Sequence, residues 1–327
     1  MTTLFARIAI PVGAAAAVLA LGACHSGETE ASPSASASAA PVPPAASNVS
    51  AAGASSKPWT ATSATFPVPR ASVDLVLNPQ GLPEYSGPTG SVEGTITVKG
   101  PPAPVQTVDV TQCPAAVDTY GKLFREGPAP TPGAPRPLGD AVVVVVGYHG
   151  FTLTEKAEAV PLVVQPSCAY PTRTIAITYG QRLEVSNKTR ALFAPYIDQS
   201  TSYAVMVAPP LESGEPVKIY PEKAGHFLLK DQMEPFVRED LYVFRHPLHA
   251  VTDTAGHYRI DGIPVGTQLK VGAYHPALDA DASASLDVVS GGVQKVDLTL
   301  TYKPAPPAKK LAMPDGGPLP VWKMPND

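Results

Sequence analysis

The stretch SVEGTITVK, residues 91–99, alternates without a break: Val92, Gly94, Ile96 and Val98 fall on one face, Ser91, Glu93, Thr95, Thr97 and Lys99 on the other. Successive side chains of a strand point to opposite faces, so this is a strand with one buried and one solvated side. AVVVVVGY, residues 141–148, is a short β-branched run between Pro- and Gly-rich segments and reads as a strand buried on both faces. Residues 173–187 read as strand, a Tyr179-Gly180-Gln181 turn, and strand. Further strand-like runs occupy 202–208, 217–220, 226–230, 241–244, 257–260, 268–274 and 293–302, while 115–124 suits a short helix. Many short strands with frequent turn residues, and no sustained 3.6-residue period, indicate an all-β sandwich.

Composition agrees. Of 327 residues, 39 are Pro and 26 are Gly, and only 16% are charged. That disfavours a helical architecture. The net charge of −4 and the lack of a basic block argue against a nucleic-acid partner. Three cysteines exclude a disulfide-dense miniprotein or a Cys-rich zinc module.

The two ends differ from the middle. A single Arg7 precedes the apolar run IAIPVGAAAAVLALGA, which ends in Leu21-Gly22-Ala23-Cys24. The run is too short and too rich in Ala and Gly for a good membrane-spanning helix. Small residues before a cysteine resemble the lipobox of bacterial lipoproteins. That resemblance implies a signal peptide at 1–23, cleavage before Cys24, lipidation of its thiol, and attachment to a membrane by acyl chains. The alternative is an ordinary signal peptide with a chance cysteine. His25, rather than Asp, follows Cys24, which by the enterobacterial sorting rule points to the outer membrane, facing the periplasm or the cell surface. Residues 24–72 are dominated by Ala, Ser and Pro, too poor in apolar bulk to offset ordering entropy, and read as a disordered tether. Residues 303–327 read as a second Pro-rich disordered tail.

The segment HPLHAVTDTAGHYRIDGIPVGTQLKVGAYH, residues 246–275, resembles the carboxypeptidase-regulatory-like, or transthyretin-like, module through Thr252-Asp253, Gly256, Tyr258, Ile260, Pro264 and Gly266. Asp253 with Gly256, and Pro264 with Gly266, suit two hairpin turns. The resemblance implies that 90–112 carries the first strand of this module and 248–302 its remainder. Residues 113–247 resemble the cupredoxin-like proteins of the methylamine-utilisation type through Gln165, Cys168 and Pro171, then Gly180-Gln181, Leu183 and Asn187, then His246-Pro247. The implied fold is a cupredoxin-like Greek-key sandwich next to, or inserted in, a transthyretin-like sandwich. A type-1 copper site needs a thiolate and two imidazoles. The positions the resemblance assigns to copper ligands fall near Phe193, Asp231, Glu234 and Val237, so the copper site reads as lost.

With Cys24 lipidated, Cys113 and Cys168 remain as a pair in an oxidising compartment and are expected to form a disulfide, two reduced buried thiols being the alternative. His246, His249, His257 and His275 cluster in the last module. His246 and His249, three apart, would face opposite ways on a strand. An altered copper set of His246, His275 and Met233 is one alternative reading. Carbohydrate binding through exposed Tyr242, Phe244, Tyr258 and Tyr274 is another. No nucleophile with a neighbouring base, phosphate loop or zinc motif is present, and Asp231, Glu234, Glu239 and Asp240 read as a solvated edge. The expectation is a non-enzymatic, lipid-anchored envelope protein without a cofactor, partnered by the membrane and by an envelope protein or glycan.

Overall fold

The structure, a computed structural model, describes residues 64–152, 158–201 and 204–304. The signal segment, Cys24, most of the tether and nearly all of the C-terminal tail lie outside these residues. Sixteen strands dominate the described chain, with one eight-residue helix, Arg70–Leu77, and short helical turns at Pro114–Ala116, Val117–Tyr120 and Pro210–Glu212. They build two sandwiches, each around its own apolar core.

The alternating stretch lies within the strand Thr89–Lys99, which buries Val92, Ile96 and Val98 completely. It runs antiparallel to His257–Pro264 on one side and parallel to Val293–Lys295 and Leu298–Thr301 on the other. Gly94 sits where a Cβ would lie 1.9 Å from the Val296 carbonyl oxygen, so only glycine lets these backbones approach. The facing sheet has the order His249–Val251, Val142–Val146, Gly266–His275, Ala280–Val288. Together they enclose one core.

The other sandwich pairs a sheet of Thr174–Thr178, Arg238–Phe244, Gly225–Asp231 and Pro195–Ile197 with one of Ala159–Val164, Arg182–Asn187 and Val217–Ile219. Its core is filled by Tyr170, Ile177, Leu183, Leu229 and Leu241, among others. The Tyr179-Gly180-Gln181 turn therefore does not make a hairpin; it carries the chain from one sheet to the opposite one. The same holds for the two turns expected as hairpins in 246–275. Asp253 Oδ1 accepts the N–H groups of Ala255 and His257, both at 2.9 Å, and Gly256 turns at φ +79°. Yet the strands on either side, His249–Val251 and His257–Pro264, belong to different sheets, as do His257–Pro264 and Gly266–His275. Tight turns with good local chemistry served sheet crossings, because the apolar faces on either side had to meet across a core rather than edge to edge.

Three expectations change. The run 142–146, assigned by sequence to 113–247, pairs with His249–Val251 and Gly266–His275 and so belongs to the opposite sandwich. Within 24–72, the last residues are folded: Ala64 and Thr65 are buried, Ala64 N–H donates to the Lys218 carbonyl at 2.8 Å, and the helix Arg70–Leu77 buries Val73. Of 202–208, residues 202 and 203 lie outside the described residues and only Ala208 bridges, to Phe193.

Two devices tie the chain. Cys113 and Cys168 form a disulfide with Cα atoms 5.9 Å apart, in the core of the sandwich that holds Tyr170. Asp140, in a left-handed conformation at φ +65°, joins the sandwiches. Its carboxylate accepts Arg125 in a two-point pair (Nε to Oδ2 2.6 Å), the Thr172 hydroxyl at 2.9 Å and the Arg173 N–H at 2.9 Å. Burial alone would raise this carboxyl, but Arg125, Arg173 N–H and Thr172 outweigh it and hold it below its usual range.

Replacing both Cys113 and Cys168 by Ala opens a loop of 55 residues and is expected to lower stability by about 4 kcal/mol, read in urea melts against the wild type. Asp140→Asn leaves Arg125 without its charge partner and is expected to cost roughly 3–5 kcal/mol; a change under about 1 kcal/mol would contradict the role assigned to the clasp.

Candidate functional site

The loop end of the sandwich built on Arg238–Phe244 is where the copper ligands were expected. Asn187, fully buried, organises it. Its Oδ1 accepts the Thr189 N–H and hydroxyl at 2.8 Å each, and its Nδ2 donates to the Ala191 carbonyl at 2.8 Å and that of Ala208 at 3.2 Å. The following loop turns Phe193 fully inward. Gln232 N–H reaches the Ala194 carbonyl at 3.1 Å, joining this loop to the next. There Asp231 Oδ1 caps the turn by accepting Met233 N–H at 2.9 Å and Glu234 N–H at 3.0 Å. Burial raises the Asp231 carboxyl to about 6 against these N–H groups, and burial raises Glu234 as well. Val237 is packed in the core.

A buried phenyl ring, a buried valine and two carboxyls do not fit type-1 copper, which takes soft sulfur and imidazole. Met233 supplies sulfur in this loop, but its side chain is exposed. Among the described residues, no three His, Cys, Asp or Glu side chains are grouped to hold a metal ion.

The alternative set has no common centre in its contacts. His275 is buried, edge-on to Phe124 with ring centroids 6.1 Å apart, and its Nδ1 accepts the Ala277 N–H at 3.2 Å. Burial lowers its pKa to about 4. His246 instead lies against Tyr148 and Phe244, at 5.8 and 5.9 Å. His249 stacks on Phe244 at 4.7 Å and meets the Thr178 hydroxyl at 3.2 Å. A turn separates His246 from His249, so both rings reach Phe244 rather than opposite faces of a strand. His257 is exposed, 3.7 Å from Asp253.

The four rings considered for a sugar platform are largely committed. Tyr258 is buried and donates to the Val296 carbonyl at 2.8 Å. Tyr242 is stacked on His226 at 4.4 Å and lies 6.2 Å from Phe244. Phe244 in turn carries His249. Tyr274 keeps an accessible ring and donates to Asp279 at 3.2 Å.

The supposed solvated edge is mostly interior. Asp231, Glu234 and Glu239 are buried, and Asp240 pairs with His226 at 2.7 Å. Glu239 Oε1 accepts the Tyr120 hydroxyl at 2.5 Å, and the Arg173 guanidinium lies 5.9 Å from the Tyr120 ring centre. Burial pushes Glu239 up to about 8, with Tyr120 and Arg173 pulling the other way. The signal was present: in REDLYVF, Glu239 shares its face with Leu241 and Val243.

No protein-family model matches the chain, and no curated protein matches it. Among solved structures, amicyanin from Paracoccus versutus is similar over 28% of this chain and 86% of its own, at 16% identity and TM-score 0.23. The copper-containing nitrite reductase from Thermus scotoductus SA-01 is similar over 30% of this chain and 25% of its own, at 17% identity and TM-score 0.23. Likenesses this partial carry no statement about chemistry.

The buried groups set opposite pH limits. Glu239, raised to about 8 from an ordinary 4.5, stabilises while protonated, and that contribution is lost as pH rises through 8. His275, lowered to about 4 from 6.5, stabilises while neutral, and its contribution is lost as pH falls from 6.5 through 4. Urea midpoints are expected to fall between pH 6.5 and 8, and Glu239→Gln to flatten that limb; an unchanged slope in the variant would assign the loss elsewhere.

Proposed function

We propose that this chain is a lipid-anchored, non-catalytic protein of the bacterial cell envelope, held on the outer membrane and acting through the surface of its two sandwiches on an envelope protein or glycan. The observation that carries the anchor is the sequence Leu21-Gly22-Ala23-Cys24 closing a short apolar run. Several acyl chains at about 0.8 kcal/mol per buried methylene suffice to hold a protein on a bilayer. Among the described residues no helix is long and apolar enough to cross a membrane. At the loop end Asn187 Oδ1 and Asp231 Oδ1 are used in holding loop backbone. The donor set does not fit copper, and recognition is the role proposed for the scaffold.

Palmitate labelling in a bacterial host is expected to mark the wild type and to disappear in Cys24→Ala, with the variant released from the membrane fraction. Label retained by the variant would remove the anchor from this reading.

A further inference from the structure

A cleft of about 220 Å³ opens where three segments meet: Leu77–Leu82 at the end of the first helix, Tyr148–Thr152 after the valine strand, and Arg245-His246 after the strand Arg238–Phe244. We propose that it binds a small organic carboxylate with an apolar, preferably aromatic, body. This goes beyond the envelope reading and does not depend on the anchor.

Charge distinguishes this cleft from the larger ones. The cleft of about 550 Å³ over Thr89–Lys99 is lined by Glu93, Asp253, His257, Arg259 and Lys295. There Arg259 is paired with Glu93 and Asp261, His257 with Asp253, and Lys295 with Asp297. The one of about 660 Å³ beside Ala280–Val288 carries Asp279 and Asp281 along with Lys303. Among the described residues that line the 220 Å³ cleft there is no carboxylate, while Arg245 and His246 stand at it. Arg245 is exposed and enters none of the ion pairs or hydrogen bonds of the described residues, so its planar fork of donors is available to an anion. Leu77, Leu82, Tyr148 and Phe151 supply apolar walls.

The walls are pinned rather than loose. Asn78 clamps Leu82 from both sides, Nδ2 to its carbonyl at 2.8 Å and Oδ1 from its N–H at 2.9 Å. Tyr85 N–H donates to the Phe151 carbonyl at 2.7 Å, tying the chain that follows the first wall to the second. His246 is held against Tyr148 and Phe244. Pre-formed apolar walls with a few polar groups are the usual form of a small-molecule site. This one is smaller than the roughly 300–1,000 Å³ of drug-sized sites, which restricts the ligand to a single ring or a short branched chain.

Benzoate serves as the probe, with benzyl alcohol as the uncharged counterpart and acetate as the anion without a body, each titrated against the folded protein by ligand-observed NMR and calorimetry. Benzoate is expected to bind at least about tenfold more tightly than either control, the size of effect a hydrogen bond to a charged group confers. Arg245→Gln is expected to bring benzoate down to the level of benzyl alcohol with the thermal melt unchanged, and Phe151→Leu to weaken benzoate and benzyl alcohol together. Equal binding of benzoate and benzyl alcohol, benzoate binding that survives Arg245→Gln, or no benzoate binding at millimolar concentration would each overturn the proposal. None of these results bears on palmitate labelling at Cys24, so the two readings fail separately.

Discussion

The carboxylate of Asp140 is the constraint on which the arrangement turns. It sits at the start of the Val142–Val146 strand, in one sandwich, and receives the Thr172 hydroxyl and Arg173 N–H from the segment entering the Thr174–Thr178 strand of the other. Arg125 closes the set and makes the charge tolerable in a site with almost no solvent. Around it the backbone is anchored as well: Thr252 donates its hydroxyl to the Leu138 carbonyl and accepts the Ala141 N–H, so the residues flanking Asp140 are fixed from the end of the His249–Val251 strand. Arg173 extends the network by donating to the carbonyls of Lys122 and Leu123. The carboxylate bonds directly to segments that enter both cores. Farther along the same junction, Thr178 meets His249, and Phe244 stacks on that ring.

The chain contributes to both cores in alternation. Cys113 to Tyr120 packs in one, Phe124 to Val145 in the other, Leu162 to Val243 in the first again, and Leu248 onward in the second. A sequence cut at 113 and 247 could not show this. Periodicity reports which face of a strand is buried and is silent about the partner that buries it. The valine run is the clearest case: every residue is apolar, so it fits either core, and only long-range pairing with Gly266–His275 decides.

Local readings fared best where the physics is local. The alternation at 91–99, the strand at 257–260 and the cysteine pair were legible, the last because only two cysteines remain once Cys24 is set aside. The turns at Asp253-Gly256 and Pro264-Gly266 were rightly placed but wrongly connected, since turn chemistry fixes a reversal of direction and not whether the reversal stays in one sheet. The carboxylates misled for the opposite reason. Charge in a loop usually means solvent, yet Asp231 spends its oxygen on two backbone N–H groups and Glu239 on a tyrosine, which is how a buried acid is tolerated. The cleft beside Arg245 was invisible beforehand, because its walls come from three segments far apart in the chain.

The parallel pairing of Thr89–Lys99 with Leu298–Thr301 has a mechanical consequence. These strands lie near opposite ends of the folded chain yet are neighbours, in register from Ile96 with Leu298 to Lys99 with Thr301. Tension applied between the chain ends, once it reaches this pair, slides one strand along the other instead of peeling it away. All the hydrogen bonds of the ladder then carry load at the same moment, and the bond between Thr97 and Thr299 hydroxyls at 2.9 Å adds to them. A fold closed in this manner resists extension far better than one whose terminal strands form an antiparallel hairpin that can unzip a bond at a time.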